Sequence, residues 1–579
     1  MRAKWYFLGC LSSIIILVLL ISLGISSLVK LTKASTNFNR VKDNSVLYLK
    51  LRGPYQAYSN ISDRNFKFIP DTSHDIIQKI RSAKEDPKIK AILLEPQFVT
   101  VGLATAGEIV KSLRDFKSSG KKIYGYLTSG GQTDILLLSA ADVVAMNPSL
   151  SAGFFLEGVG GAITYYKDLF DNLGIKVHII RAGEYKAAGE NYTRSTMSPE
   201  FRENISEIYS DVYQVLVNDL ARSYDLPTSA VRYTIESNER WMLTAEMGKD
   251  LRIVDEALYF EQFLKSININ SKQLVKLNNY TAETPKPAFN HIAVVYALGN
   301  ISPVKAGWGE NNISSAEYVK LLDELENDYN VKAIVLRISS GGGSALESEL
   351  IYQKIVQVRE KKPVVVSMGA VAASGGYYIA APANYIYADP YTITGSIGVV
   401  SMLPDFSSTA KKIGVNDEIV GSGKYLAPMS SFWNLYNPDV EKAMQTMIDD
   451  IYLEFKTRVS ASRDISLNNL EKIAQGKVWS AQKALEHHLI DGIGQLDDAI
   501  IKAAQLASVS NFSVSYYPER KQFIDIILED SFNFSSIKSL LAEQLVPDYI
   551  KFPRTLQQIY EEIKDDPFQM RSEINFDLQ

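Results

Sequence analysis

The stretch GAVAASGGYYIAAPA, Gly369–Ala383, sets one serine, Ser374, among alanines and glycines and follows it with apolar, helix-length sequence. Small residues there let a helix pack closely on a sheet. They equally leave room for a substrate backbone to reach a nucleophilic hydroxyl. A second small-residue cluster, SSGGGS, occupies Ser339–Ser344. A serine nucleophile also needs a proton acceptor within hydrogen-bond reach. The five histidines, His74, His178, His291, His487 and His488, lie in no motif, which argues against a Ser/His triad. Cys10 is the single cysteine, so neither an intramolecular disulfide nor a Cys-rich metal site is available.

The elements that must hold these residues can be read from hydrophobic patterning. From His291 onwards, β-branched runs alternate with helix-like stretches: HIAVVYA, AEYVKLLDELEND, KAIVLRI, ALESELIYQKIVQVRE, PVVVSM, a helix beginning near Ser374, and NYIYA. This alternation predicts βαβ units, hence an α/β fold with parallel sheets and packed helices. Ligands of such folds sit beyond the carboxyl ends of the strands. SSGGGS follows KAIVLRI and VAASGG follows PVVVSM, so both clusters fall there. Tight turns explain one such cluster, whereas two at adjacent strand ends favour a site.

The chain repeats itself. IKAILLEP (Ile89–Pro96) and VKAIVLRI (Val331–Ile338) are similar and 242 residues apart. The same offset aligns AADVVAMNPSLSAG (Ala140–Gly153) with PANYIYADPYTITG (Pro382–Gly395). An offset of 236 aligns TAEMGKDLRIVDEA (Thr244–Ala257) with SAQKALEHHLIDGI (Ser480–Ile493). The expected organisation is an anchor and linker at 1–45, a first module at 46–277, a polar, proline-bearing linker at 278–290, a second module at 291–505 and an extension at 506–579.

Trp5–Val29 is uncharged and long enough to cross a bilayer with some tilt. It lacks the short apolar core and small-residue exit of a cleaved signal peptide, so an uncleaved transmembrane helix is expected. The flanking charges, Arg2 and Lys4 before it and Lys30, Lys33, Arg40 and Lys42 after it, lean weakly towards a cytoplasmic body, but long domains translocate largely regardless of them. Composition is that of a folded protein, and the net charge of −5 with no Lys/Arg-rich tract excludes a nucleic-acid partner.

VLRISSGGGS, AVAASGGYYIA, TGSIGVV and AQGKVW…ALEHHLID together resemble the signature segments of the signal peptide peptidase A family, in its long, two-module, membrane-anchored form. The resemblance spans nearly the whole chain after the anchor and fades beyond about residue 510. It implies two tandem Clp/crotonase-like modules and a Ser/Lys dyad with Ser374 as nucleophile. The oxyanion donors would be the amides of Gly342 and Gly375, and Ser396 would position the lysine ammonium. One departure is Gly341, where the family usually has proline. Glycine loosens that loop without removing its donors.

The resemblance places the base in GEYKAA, at Lys186. A lysine in water has a pKa of about 10.4 and must be desolvated to roughly 7–8 to serve as a base. At the 242-residue offset Ser374 corresponds to Gln132, Gly342 to Thr100 and Ser396 to Phe154. Matching GEYKA to GKYLA sets Lys186 opposite Leu426, with Lys424 nearby as the second candidate base. One copy thus carries the serine and the other the lysine. A working site must combine both, within a chain or between chains.

The expected activity is that of a membrane-anchored serine endopeptidase that cleaves hydrophobic peptides, such as remnant signal peptides. It needs no metal or organic cofactor. The resemblance further implies a homotetrameric ring and a body on the periplasmic side of a bacterial inner membrane. Acyl-CoA chemistry, which uses a similar glycine-amide oxyanion hole, lacks an evident CoA-binding feature here. A non-catalytic membrane scaffold is the remaining alternative.

Overall fold

The structure is a computed structural model that describes residues 41–62, 71–237, 239–281, 288–304, 311–426, 430–431, 433, 436–522 and 569–571. The expected anchor at Trp5–Val29 and the helix-like stretch Phe523–Val546 lie outside these residues. Among the described residues no helix is long and apolar enough to cross a membrane.

Two parallel six-strand arrangements repeat the same order. In the first they run Glu256–Ala257, Val143–Met146, Lys122–Leu127, Ile89–Thr100, Ser45–Pro54 and Leu274–Lys276. In the second they run Gly492–Ile493, Tyr385–Ala388, Val364–Ala373, Val331–Ser340, His291–Leu298 and Ser513–Tyr517. The last of these extends the second sheet beyond residue 505. Strands covered by helices on both faces read as near-continuous apolar runs. HIAVVYAL is accordingly buried along all but its first residue. The fold is α/β, as the alternation predicts.

A third sheet joins the modules. The strand Lys176–Ala182 of the first module pairs antiparallel with Val399–Asp405 of the second, from Val399↔Ala182 to Asp405↔Lys176. Ile180 and Ala182 are buried in the second module's core, beside Val399 and Leu403. We call this segment the lysine strand. Elsewhere the modules dock through a nearly buried ion pair, Arg337 to Glu108 at 2.9 Å.

Near that pair Asp389 is fully buried, with Oδ1 accepting from the Tyr391 N–H and Oδ2 from Gln495 Nε2. Burial pushes its carboxyl up to about 7 from 3.8. The folded chain therefore holds a proton that the unfolded chain releases across this window. The contribution of Asp389 to stability thus falls as pH rises from about 4 to about 7. Gln495 Oε1 is buried without a hydrogen-bond partner. Rotating that amide offers Oε1 to the new N–H in Asp389→Asn. This variant is expected to melt above wild type at pH 8, with a smaller gain at pH 4.5. An equal shift at both pH values, read by thermal unfolding, contradicts the assignment.

Candidate active site

Ser374 sits between the end of the strand Val364–Ala373 and the short helix Gly375–Ala380. Its backbone has φ 55° and ψ −117°, a conformation that costs a non-glycine residue about 1–3 kcal/mol. Neighbouring backbone holds it there. The Ser374 N–H donates to the Gly395 carbonyl at 2.8 Å, and the Ser374 carbonyl accepts from the Tyr378 N–H at 2.8 Å. Such a turn separates the hydroxyl from both regular elements and aims it at the loops beyond the strand ends.

Lys186 Nζ lies 2.8 Å from Ser374 Oγ, although 188 residues separate them in sequence. It also donates to Ser396, at 3.0 Å to Oγ and 3.2 Å to the carbonyl oxygen. Ser374, Lys186 and Ser396 are all at most 2% exposed. These three oxygens are neutral, and the contacts orient the amine. Contacts to Ser396 and Ser374 together fix the direction of the amine. The two groups meet within one chain. Lys424, the alternative base, is instead an exposed side chain paired with Asp439 at 3.1 Å, which raises its pKa.

The sequence AQGKVW, quoted above without a role, builds the seat for Lys186. Tyr185 N–H donates to the Gln475 carbonyl at 2.8 Å, and Glu184 N–H donates to Gln475 Oε1 at 3.1 Å. The Ser396 N–H donates to the Lys477 carbonyl at 2.8 Å. Gly476, at φ 77°, lies so close that a Cβ there would fall 2.6 Å from Lys186 N and 2.7 Å from its Cα. One loop of the second module therefore braces both the lysine and the serine that orients it. On the other side, Arg181 donates to the Lys186 carbonyl at 2.9 Å and approaches Glu190 at 3.5 Å.

The glycine loop is more ordered than a turn. Gly342–Ser344 is a short strand, joined in parallel to Asn300–Ile301 through Ile301↔Gly343. A Cβ on Gly375 would fall 3.2 Å from Gly342 Cα and 2.7 Å from Ser348 Oγ, so these glycine backbones abut. This places the two expected oxyanion donors side by side. The Gly342 N–H already donates to Ser340 Oγ at 3.1 Å, so an incoming carbonyl must displace or share that hydroxyl. Sequence reading gave no sign of Ser340, because its role depends on how the loop folds back.

The corresponding corner of the first module is filled. Gln132, opposite Ser374, exchanges two hydrogen bonds with the backbone of Gly158, at 2.8 and 3.1 Å. Nearby, the buried Asp134 carboxylate accepts from the N–H groups of Phe98, Val99 and Gly131 at 2.8–3.1 Å. Phe154, opposite Ser396, is fully buried. Among the described residues no cluster of three or more His, Cys, Asp or Glu is placed to hold a metal ion.

Residues 115–274 and 356–510 each match Peptidase family S49. Protease 4 of Salmonella typhi is 32% identical over 489 residues, covering 81% of this chain and 77% of that protein. Protease 4 of Haemophilus influenzae is 30% identical, with 87% and 84% covered. The chain belongs to peptidase family S49. The Arabidopsis thaliana protein "Serine protease SPPA, chloroplastic" is 29% identical over 82% of this chain and 70% of its own. A solved structure of the 1510-N membrane-bound stomatin-specific protease, a mutant with a substrate peptide, is 17% identical and covers 43% of this chain at a TM-score of 0.27. That score is too low to bear on the architecture. One S49 match falls in each parallel-sheet module, and the 186–374 contact bridges them.

Two substitutions test the seat of Lys186. Gly476→Ala is expected to lower peptidase kcat by about tenfold or more in a folded chain, because its Cβ displaces the Lys186 backbone. Lys424→Ala is expected to retain wild-type turnover. Full activity in Gly476→Ala, with circular dichroism unchanged, would remove the brace from the mechanism.

Proposed function

We propose that this S49 peptidase is a membrane-anchored serine endopeptidase working through a Ser374/Lys186 dyad on extended hydrophobic peptides, remnant signal peptides among them. The observation that carries the reading is the buried 2.8 Å approach of Lys186 Nζ to Ser374 Oγ. Neutral Lys186 takes the hydroxyl proton as Ser374 Oγ attacks the scissile carbonyl. The Gly342 and Gly375 amides receive the developing oxyanion. The lysine then gives its proton to the leaving amine as the peptide bond breaks. A water, deprotonated by Lys186, hydrolyses the acyl-enzyme and restores Ser374. Ser396 keeps the amine aimed throughout.

The setting follows from the family resemblance and the apolar Trp5–Val29 segment: a single pass through a bacterial inner membrane, with the body periplasmic. The tetrameric ring also belongs to the proposal, but its basis is narrower than the repeat suggested. Both kinds of module already meet inside one chain, so the dyad does not require a neighbouring copy. The ring's remaining rationale is an enclosed chamber that admits unfolded peptides and excludes folded proteins. Exposed apolar side chains such as Leu150, Trp241 and Val420 support further assembly.

A fluorophosphonate probe is expected to label the wild-type chain and leave Ser374→Ala unlabelled. Ser374→Ala and Lys186→Ala should each reduce peptide turnover by about 10³-fold or more, and the double variant should be little worse. Retained turnover in Lys186→Ala overturns the dyad. For assembly, light scattering of the chain without its first 45 residues should give four times the protomer mass. A fully active monomer sinks the ring and leaves the dyad intact.

A further inference from the structure

The loop that seats Lys186 is itself held from the first module. Its end forms the strand Val478–Ser480, which pairs antiparallel with Ile393–Gly395, Gly395↔Val478 in register. Gly395 gives its carbonyl to the Ser374 N–H, and Lys477 gives its own to the Ser396 N–H. Val478 therefore adjoins the brace on Ser396 and follows closely on Gly476, which abuts the Lys186 backbone. Among the described residues no strand pairs with the other edge of Val478–Ser480. Ile393 and Val478 are instead buried in the first module's core.

What meets that edge is the helix Pro199–Ser223 of the first module. Asn204, 3% exposed, donates from Nδ2 to the Val478 carbonyl and accepts the Val478 N–H at Oδ1, both at 2.9 Å. One carboxamide thus stands where a neighbouring strand's peptide group would, and satisfies both polar groups of a buried residue. Further along the same helix face, Glu207 pairs with Lys477 at 3.0 Å and Asp211 accepts from the Ser480 hydroxyl at 2.6 Å. The Lys477 ammonium also lies 5.1 Å from the ring centre of Tyr185, the residue before Lys186.

The repeat separates what the fold needs from what this corner needs. Aligned on their opening prolines, the second module's helix Pro438–Arg463 sets Ala443 opposite Asn204, Thr446 opposite Glu207 and Asp450 opposite Asp211. The helix forms there without the carboxamide, and the copy that carries one is the copy facing the lysine seat. We propose that Asn204 is a positioning residue for the Ser374/Lys186 dyad, acting through the backbone of Val478. Without it the Val478 N–H and C=O are buried unpaired, and the strand must shift to find partners. Lys477 and Gly476 move with that strand, carrying the Ser396 brace and the Lys186 seat out of line. A displacement of about 1 Å costs turnover on the order of a hundredfold. The proposal rests on the dyad reading, because Asn204 acts through the groups that aim Lys186.

The test compares full-length Asn204→Ala and Asn204→Asp with wild type in peptide turnover and in the rate of fluorophosphonate labelling, which reads Ser374 without peptide recognition. Asn204→Asp keeps the side chain's size and sets an oxygen where Nδ2 meets the Val478 carbonyl. Both variants are expected to lower kcat and labelling rate by at least about tenfold, with KM within about twofold of wild type. Tyr224→Phe removes another buried bond, 2.7 Å from Tyr224 Oη to the Ile135 carbonyl, just past the far end of the same helix. It is expected to lower the melting temperature and keep wild-type kcat. Wild-type kcat in a folded Asn204 variant overturns the proposal, as does a rise in KM alone or an equal kcat loss in Tyr224→Phe. Failure of both Asn204 variants to fold assigns the residue to stability and overturns it as well. Lys186→Ala, assayed alongside, separates the two readings. If it retains turnover the dyad fails; if it is inactive while the Asn204 variants match wild type, only the positioning role fails.

Discussion

Everything at this site depends on the antiparallel pairing of Lys176–Ala182 with Val399–Asp405. It carries a strand of the first module onto the second, where Ile180 and Ala182 enter a foreign core. The chain that follows must then pass over Ser396 and against the AQGKVW loop, and Lys186 has no route back to water. Burying an amine costs several kcal/mol unless hydrogen bonds compensate. The oxygens of Ser374 and Ser396 supply that compensation while adding no countercharge. Under the proposed dyad, stability and reactivity come from the same contact: apolar packing of the strand offsets the desolvation that the chemistry needs.

The strain at the site has a similar logic. Ser374 and Ser396 both have positive φ, 55° and 52°, where a residue with a Cβ is disfavoured. The two are linked through the backbone, because the carbonyl accepting the Ser374 N–H belongs to Gly395, immediately before Ser396. The Ser396 N–H is in turn fixed by Lys477. Neither serine can relax alone. Both hydroxyls lie within 3.0 Å of one amine, so the lysine needs no closing motion to reach Ser374.

Much of this was legible in the sequence because it is local or repetitive. Runs such as HIAVVYAL declare strands covered on both faces, and the 242-residue repeat declares two modules. The small residues around Ser374 mark a tight strand-to-helix turn. The lysine is different. Nothing in GEYKAA separates Lys186 physically from a surface lysine; only the family resemblance singled it out. Its burial comes from Gly476, Gln475 and Ser396, all more than 200 residues away. Ser340 and the Gly342–Ser344 strand were hidden for a related reason: three consecutive glycines read as a turn, and their β pairing comes from distant partners.

The asymmetry of the two copies explains why two similar folds bring together one Ser374–Lys186 contact. In the first module Gln132 is tied to Gly158, and Asp134 occupies three backbone amides that would otherwise face an open corner. What that module brings to Ser374 is a single amine, Lys186 Nζ. In the second module the lysine closest to the matching position, Lys424, is solvated and paired with Asp439. Under the proposed dyad each module alone is unreactive, since a serine without a base is a poor nucleophile and a lysine in water keeps its proton at neutral pH. On the same proposal, a chain whose modules have folded but not yet docked carries no activated serine. The contact that buries Lys186 is the same one that delivers it to Ser374, so under that proposal activation cannot precede assembly of the site.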